Sequence, residues 1–177
     1  MYITLVMVQS VDGKTTYKTD PHIYSWTSPE DQKHFTTLIA QSSLIIMGRK
    51  TYEVAKPMMK HAPGRLRIVV TSTPKQFESQ QIPGQLEFTS QQPTELISRL
   101  EQQGYTQALL VGGANVNTAF FKDNLIDELV LTIEPYIFGQ GNNFVGEIDK
   151  KISLVLKTME KLNNQGTILL HYQVKKS

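Results

Sequence analysis

The sequence predicts an α/β domain: a mixed, mostly parallel central sheet with helices on both faces and an antiparallel hairpin at its C-terminal end. Three observations predict it. Four short apolar runs, Tyr2 to Val8, Leu44 to Met47, Leu66 to Val70 and Ala108 to Val111, lack the alternation of a half-wet strand and read as strands buried on both faces. Helical stretches lie between them. After Asp127 the strand-like segments lengthen, and the last two are joined through Asn163, Asn164 and Gly166, a hairpin signal.

Length and composition fit one domain over 1–177. With 177 residues, 40% of them hydrophobic, the chain can close a full core. A net charge of +2 points to neither nucleic acid nor an acidic membrane. The absence of cysteine excludes disulfides, iron–sulfur clusters, thiolate zinc sites and cysteine nucleophiles. His22, His34, His61 and His171 are scattered without ligand spacing, so no metal site is expected. The opening MYITLVMVQS carries no basic leader, and no run approaches the roughly 18 apolar residues of a membrane span; a cytoplasmic enzyme is the expectation.

In chain order, the first strand is followed by Asp12-Gly13, a turn signal, and by a polar stretch to Trp26 that reads as a mobile flap over a pocket or as an ordinary loop. A helix from about Pro29 to Gln41 opens on Ser28-Pro29-Glu30-Asp31: an N-cap serine, a proline at the first position and an acid three residues on. Asp31, Phe35, Leu38 and Ile39 share the stripe turned toward the core, while Glu30, Lys33, Thr37 and Gln41 take the wet face. Two readings of Asp31 stand. It closes a capping box, or it is an inward carboxylate whose proton affinity rises by desolvation until a ligand with paired N–H donors, such as a 2-amino-4-oxo-pyrimidine, meets it.

The second strand ends at Gly48-Arg49-Lys50-Thr51 and continues as a helix from Thr51 to Ala55. Free amides and cations at that junction suit a phosphate, and they equally suit a plain turn with solvated side chains. No Walker A pattern is present. The third strand, Leu66 to Val70, precedes a Gln-, Ser- and Pro-rich stretch, Pro74 to Pro93, expected to be an exposed excursion. A helix from Thr94 to Gln102 leads to the fourth strand and to Gly112-Gly113-Ala114-Asn115-Val116, then a helix to Asp123. The glycine pair lets a pyrophosphate approach the backbone, but the spacing of a Rossmann fingerprint is missing. Strands at Leu129 to Ile133, Ser153 to Leu162 and Thr167 to Val174 complete the order.

Taken together these segments resemble the dihydrofolate reductase superfamily, most closely the reductase domain of the bacterial bifunctional riboflavin-biosynthesis deaminase-reductase. The resemblance runs from Tyr2 to about Val174. Trp26 with Pro29-x-Asp31 and Phe35, Ile46 to Glu53, and Pro63-Gly64-Arg65 are similar to dihydrofolate reductase motifs. Ser10 to Lys14, Asn124 to Leu129, Pro135 and Gly139-Gln140-Gly141 are similar to the riboflavin branch.

The resemblance implies a dihydrofolate reductase-like three-layer fold and NADPH as cofactor. It implies Asp31 as the pterin-binding acid with Thr132 bonded to it. Gly48, Arg49, Lys50 and Thr51 match the cofactor phosphate loop; Thr71 and Ser72 match the 2′-phosphate position. Val111, Gly112, Gly113, Ala114, Asn115 and Val116 match the diphosphate turn. Val6, Met7 and Val8 would floor the nicotinamide pocket, Met7 toward the cofactor, with Phe35 on the substrate side. Trp26 would close the pocket, and Arg65 would correspond to the arginine that holds folate's glutamate tail. Val111 stands where the riboflavin branch carries an acid, and Asn115 and Asn117 stand where dihydrofolate reductases carry arginine and an aromatic residue.

The implied function is an NADPH-dependent reductase of a pterin-like or diaminopyrimidine substrate, of the 5-amino-6-(5-phosphoribosylamino)uracil reductase type. Arg65, Arg67 and Lys14 are the candidate partners of a substrate phosphate. True dihydrofolate reductase activity and a non-catalytic NADPH-binding module are the alternatives. Relatives in that branch lead to the expectation of a homodimer.

Overall fold

A computed structural model describes residues 1–176. Eight strands form one sheet: β1 (Tyr2–Ser10), β2 (Leu44–Gly48), β3 (Leu66–Val70), β4 (Leu86–Thr89), β5 (Gln107–Leu110), β6 (Glu128–Glu134), β7 (Leu154–Lys161) and β8 (Ile168–Val174), in the spatial order β4-β3-β2-β5-β1-β6-β8-β7. From β4 to β6 every pairing is parallel. The pairs β6 with β8 and β8 with β7 are antiparallel. Helices α1 (Pro29–Gln41), α2 (Arg49–Ala55), α3 (Pro93–Gln102) and α4 (Ala114–Lys122) complete the layers.

The sheet is buried on both sides because its strands split their apolar residues by alternation. Ile3, Leu5, Leu44, Ile46, Leu66 and Ile68 pack with Leu96, Leu100 and Phe120 of α3 and α4. Ile45, Met47, Val69 and Val130 face the other way, with Tyr52 of α2 and with Phe35, Leu38 and Ile39 of α1. Full burial of each such side chain is worth about 1.5–3 kcal/mol, so both layers contribute to the core that fixes the strand ends.

One expectation is corrected. The stretch Pro74 to Pro93 is not an exposed excursion: it holds a 3₁₀ helix (Pro74–Gln80) and β4, whose Leu86 and Phe88 are buried. Phe88 stacks on Phe77 and meets Tyr52 edge-on. Four residues alternating between apolar and polar are too short a pattern to stand out among so many glutamines; burial against α2 makes them a strand.

The polar stretch after β1 is a fastened strap over its first part. Asp12 accepts hydrogen bonds from Ser10 Oγ and from the Phe138 and Gly139 amides. Thr15 and Lys18 donate backbone bonds to Asn142 and Gln140. The Ser10 hydrogen bond first, and then the Phe138 and Gly139 amides, hold Asp12 well below the usual carboxylate range, at about 2. Among the described residues, no helix is long and apolar enough to cross a membrane.

Candidate active site

The strand order places the site. Going outward from β1, the chain runs to β2 with α1 on one face of the sheet, while β5 inserts between them and leads to α4 on the other face. Parallel sheets open a crevice at the carboxyl ends of such strands, where the connections part. Here the carboxyl ends of β1, β2 and β5 carry Val6 to Val8, Gly48 and the Gly112-Gly113 pair, and a cavity of about 1650 Å³ opens along them.

Of the residues singled out in the sequence, Val6, Met7, Val8, Asp31, Phe35, Gly48, Arg49, Lys50, Thr51, Arg65, Thr71, Ser72 and Val111 to Val116 line this one cavity. Thr132 lies behind Asp31, not on the wall, and is buried. Trp26 is off the wall as well: its ring meets Phe138 edge-on at 5.1 Å, beside the strap. Lys14 lies on the strap, donating to Asn143 Oδ1.

At one end of the cavity the backbone is unusually close. Gly48 N–H donates to Gly112 O at 2.7 Å. A Cβ on Gly48 would come within 3.0 Å of Val116 Cγ2 and 3.5 Å of Gly113 N. Gly112 has φ +92°, a conformation that glycine alone adopts without strain. Both α2 and α4 start here, behind Gly48 and Gly113, and neither start has a side-chain cap. Their first-turn amides therefore stay free for an anion. Thr51 adds a hydroxyl, Lys50 is an exposed cation, and Arg49 pairs with Glu53 at 2.6 Å. The donors fit a dinucleotide diphosphate.

In the middle stands Asp31, 6% exposed. Helix α1 carries it inward because Ser28 Oγ accepts the Asp31 N–H and Pro29 presets the first turn. Burial raises its carboxyl to about 6; the Thr132 hydroxyl opposes the rise, and Glu134 adds to it. Among the described residues Asp31 has no ion-pair partner. Tyr24, also on the wall, has its phenol raised by burial and then by the Asp31 charge.

The far end is cationic. Arg65 Nε and Nη2 donate to Ser42 O and Ala40 O, closing the C-terminal carbonyls of α1. Arg67, two residues on and inside β3, is 4% exposed; its Nη2 donates to Lys60 O at 2.9 Å, and its Nη1 is buried without a partner among the described residues. A buried guanidinium N–H without a partner is costly. Arg65 is thus largely engaged by the fold, while Arg67 keeps donors free. Glu134 was not singled out in the sequence at all; a glutamate closing an apolar strand carries no local signal.

Comparison with known proteins agrees with this architecture. The family pattern of the RibD C-terminal domain matches residues 1–168. The uncharacterized protein YwjB of Bacillus subtilis (strain 168) is 26% identical over 130 residues, covering 72% of this chain and 71% of its own. A putative riboflavin biosynthesis protein from Shewanella sp. PV-4 superposes with a TM-score of 0.80 at 22% identity, covering 99% of this chain and 100% of its own. Dihydrofolate reductase from Enterococcus faecalis, in a complex with NADP(H), gives 0.65 at 20% identity over 99% of this chain and 97% of its own. The fold is the dihydrofolate reductase-like one, and the chain belongs to the RibD C-terminal domain family, a reductase-like branch of that fold.

Proposed function

We propose that the protein is an NADPH-dependent reductase of a pterin-like or diaminopyrimidine substrate, of the 5-amino-6-(5-phosphoribosylamino)uracil reductase type. The observation that carries this reading is Asp31: a buried carboxyl on the wall of the cavity, without an ion-pair partner among the described residues and raised by burial to about 6. Such a group accepts a paired ring N–H and amino N–H when ionised and donates a proton when not. Thr132 behind it fixes one hydrogen bond, so the carboxyl plane is preset. Bound at the Gly48, Gly112 and Gly113 junction, NADPH supplies the hydride. Val6, Met7 and Val8 provide an apolar floor that keeps water from the reacting carbon. Arg65 and Arg67, both on the cavity wall, favour a substrate with an anionic end, a phosphate or a carboxylate.

The test is NADPH oxidation with a diaminopyrimidine ribosyl phosphate and with dihydrofolate. Asp31→Asn should leave NADPH binding nearly intact and lower turnover by roughly a hundredfold or more. Normal turnover by Asp31→Asn removes the proposed role. Coenzyme binding with no oxidation by either substrate favours the non-catalytic module instead.

We also propose a homodimer formed through β7. This edge strand exposes all eight of its residues, among them Leu154, Val155, Leu156 and Met159. An open, partly apolar edge is a template for another strand. The stretch from Thr158 to Lys161, past a bulge at Lys157, pairs regularly with β8 and leaves its outer edge open to a second copy. Light scattering should give a dimer for the wild type and a monomer for Thr158→Pro; a wild-type monomer at micromolar concentration rejects the proposal.

A further inference from the structure

A capping box has two arms: the N-cap hydroxyl takes the N3 amide, and the N3 acid takes the N-cap amide. At the start of α1 only the first arm is made within the helix, with Asp31 N–H donating to Ser28 Oγ at 3.3 Å. The second is supplied from elsewhere. Ser28 N–H donates to Glu134 Oε1 at 2.6 Å, from the last residue of β6.

Glu134 is 1% exposed and held from its other side: Thr167 Oγ1, itself fully buried, donates to Oε2 at 2.7 Å. Asn163 Nδ2 in turn donates to Thr167 Oγ1 and to Glu30 Oε2, tying the β7–β8 turn to the first turn of α1. The groups facing Asp31 are then Thr132 and Glu134 from β6 and Tyr24 from the turn before α1. Among the described residues neither carboxylate has a cationic partner.

Asp31 stands where it could cap Ser28 itself, which would satisfy the same amide with one buried acid instead of two. A second buried acid next to the first raises the electrostatic cost of the arrangement. That cost has a return only if the first acid is kept for something other than capping.

We propose that Glu134 is a positioning residue: by taking the Ser28 amide it keeps the Asp31 carboxyl out of its own helix cap and turned to the cavity. The inference rests on the reading of Asp31 as the substrate-facing acid. Thr132 and Glu134, two residues apart on one face of β6, divide the work between them, one meeting Asp31 and the other meeting the cap.

The experiment is a carbon-13 carboxyl titration of Asp31 without coenzyme or substrate, so its outcome is independent of whether the protein turns over any compound. In the wild type Asp31 should titrate near 6. Glu134→Gln keeps an oxygen for the Ser28 amide, so Asp31 should still titrate above about 5, lowered only by the loss of one neighbouring charge. Glu134→Ala should let Asp31 close the box and gain a backbone N–H, bringing its titration below about 4. The same titration in Glu134→Ala and Glu134→Gln overturns the proposal. Asp31→Ala gives a second measurement that does not depend on the fold of Glu134→Ala: the Ser28 amide should keep its wild-type hydrogen-exchange protection. Faster exchange at Ser28 in that variant also overturns the proposal, because Asp31 would then be the cap.

Discussion

Replacing Asp31 by asparagine should make the protein more stable above neutral pH and leave it almost unchanged at low pH. In the unfolded chain the carboxyl returns to its ordinary 3.8, whereas burial holds it at about 6 in the fold. The folded state therefore binds the proton more tightly. The stability contributed by this group is complete below about pH 4 and is lost as the pH rises through about 6. At about 1.36 kcal/mol per pH unit, the gap between 3.8 and about 6 makes ionised Asp31 cost the fold about 3 kcal/mol above pH 7. Asparagine has the same shape and no charge, and its amide still meets the Thr132 hydroxyl. Urea unfolding of both proteins at several pH values from 4 to 8 measures the difference. It should grow between about pH 4 and 6 and level off above 7. A difference that stays constant over that range refutes the desolvation argument.

Other perturbations test the remaining parts. Gly48→Ala drives a Cβ to 3.0 Å from Val116 Cγ2, so it should cost about 1–3 kcal/mol in thermal unfolding and weaken NADPH binding while the Asp31 titration is unmoved. Phe88→Ala should cost about 3–5 kcal/mol in urea unfolding because β4 is part of the core; a loss below about 1 kcal/mol would return it to a surface loop. Asp12→Ala should speed amide exchange at Phe138 and Gly139, whose N–H groups it accepts, and unchanged exchange there would mean that the strap is held by its backbone bonds alone.

How much of this was legible depended on whether a local pattern carried the signal. Strands β1, β2, β3 and β5 were readable because burial on both faces leaves mainly apolar runs without strict alternation, and the C-terminal hairpin because turn residues separate two long strand-like segments. The two glycine junctions were readable because a close backbone approach excludes side chains. Strand β4 was not, since its two inward residues need α2 and Phe77 beside them to be recognisable as core. Arg65 and Arg67 looked alike in the sequence; only the carbonyls of Ser42, Ala40 and Lys60 distinguish the engaged guanidinium from the one with a free edge.

The sequence by itself determined the layer order, the cap and inward stripe of α1, and the residue types that meet at the carboxyl ends of the strands. These follow from period, glycine and proline placement, which act over a few neighbouring residues. Only the tertiary structure decided what Asp31 is free to do. Its proton affinity depends on the burial around it and on Thr132 and Glu134, about a hundred residues further along the chain. Desolvation and hydrogen-bond competition are properties of a packed neighbourhood, and no spacing along the chain encodes them.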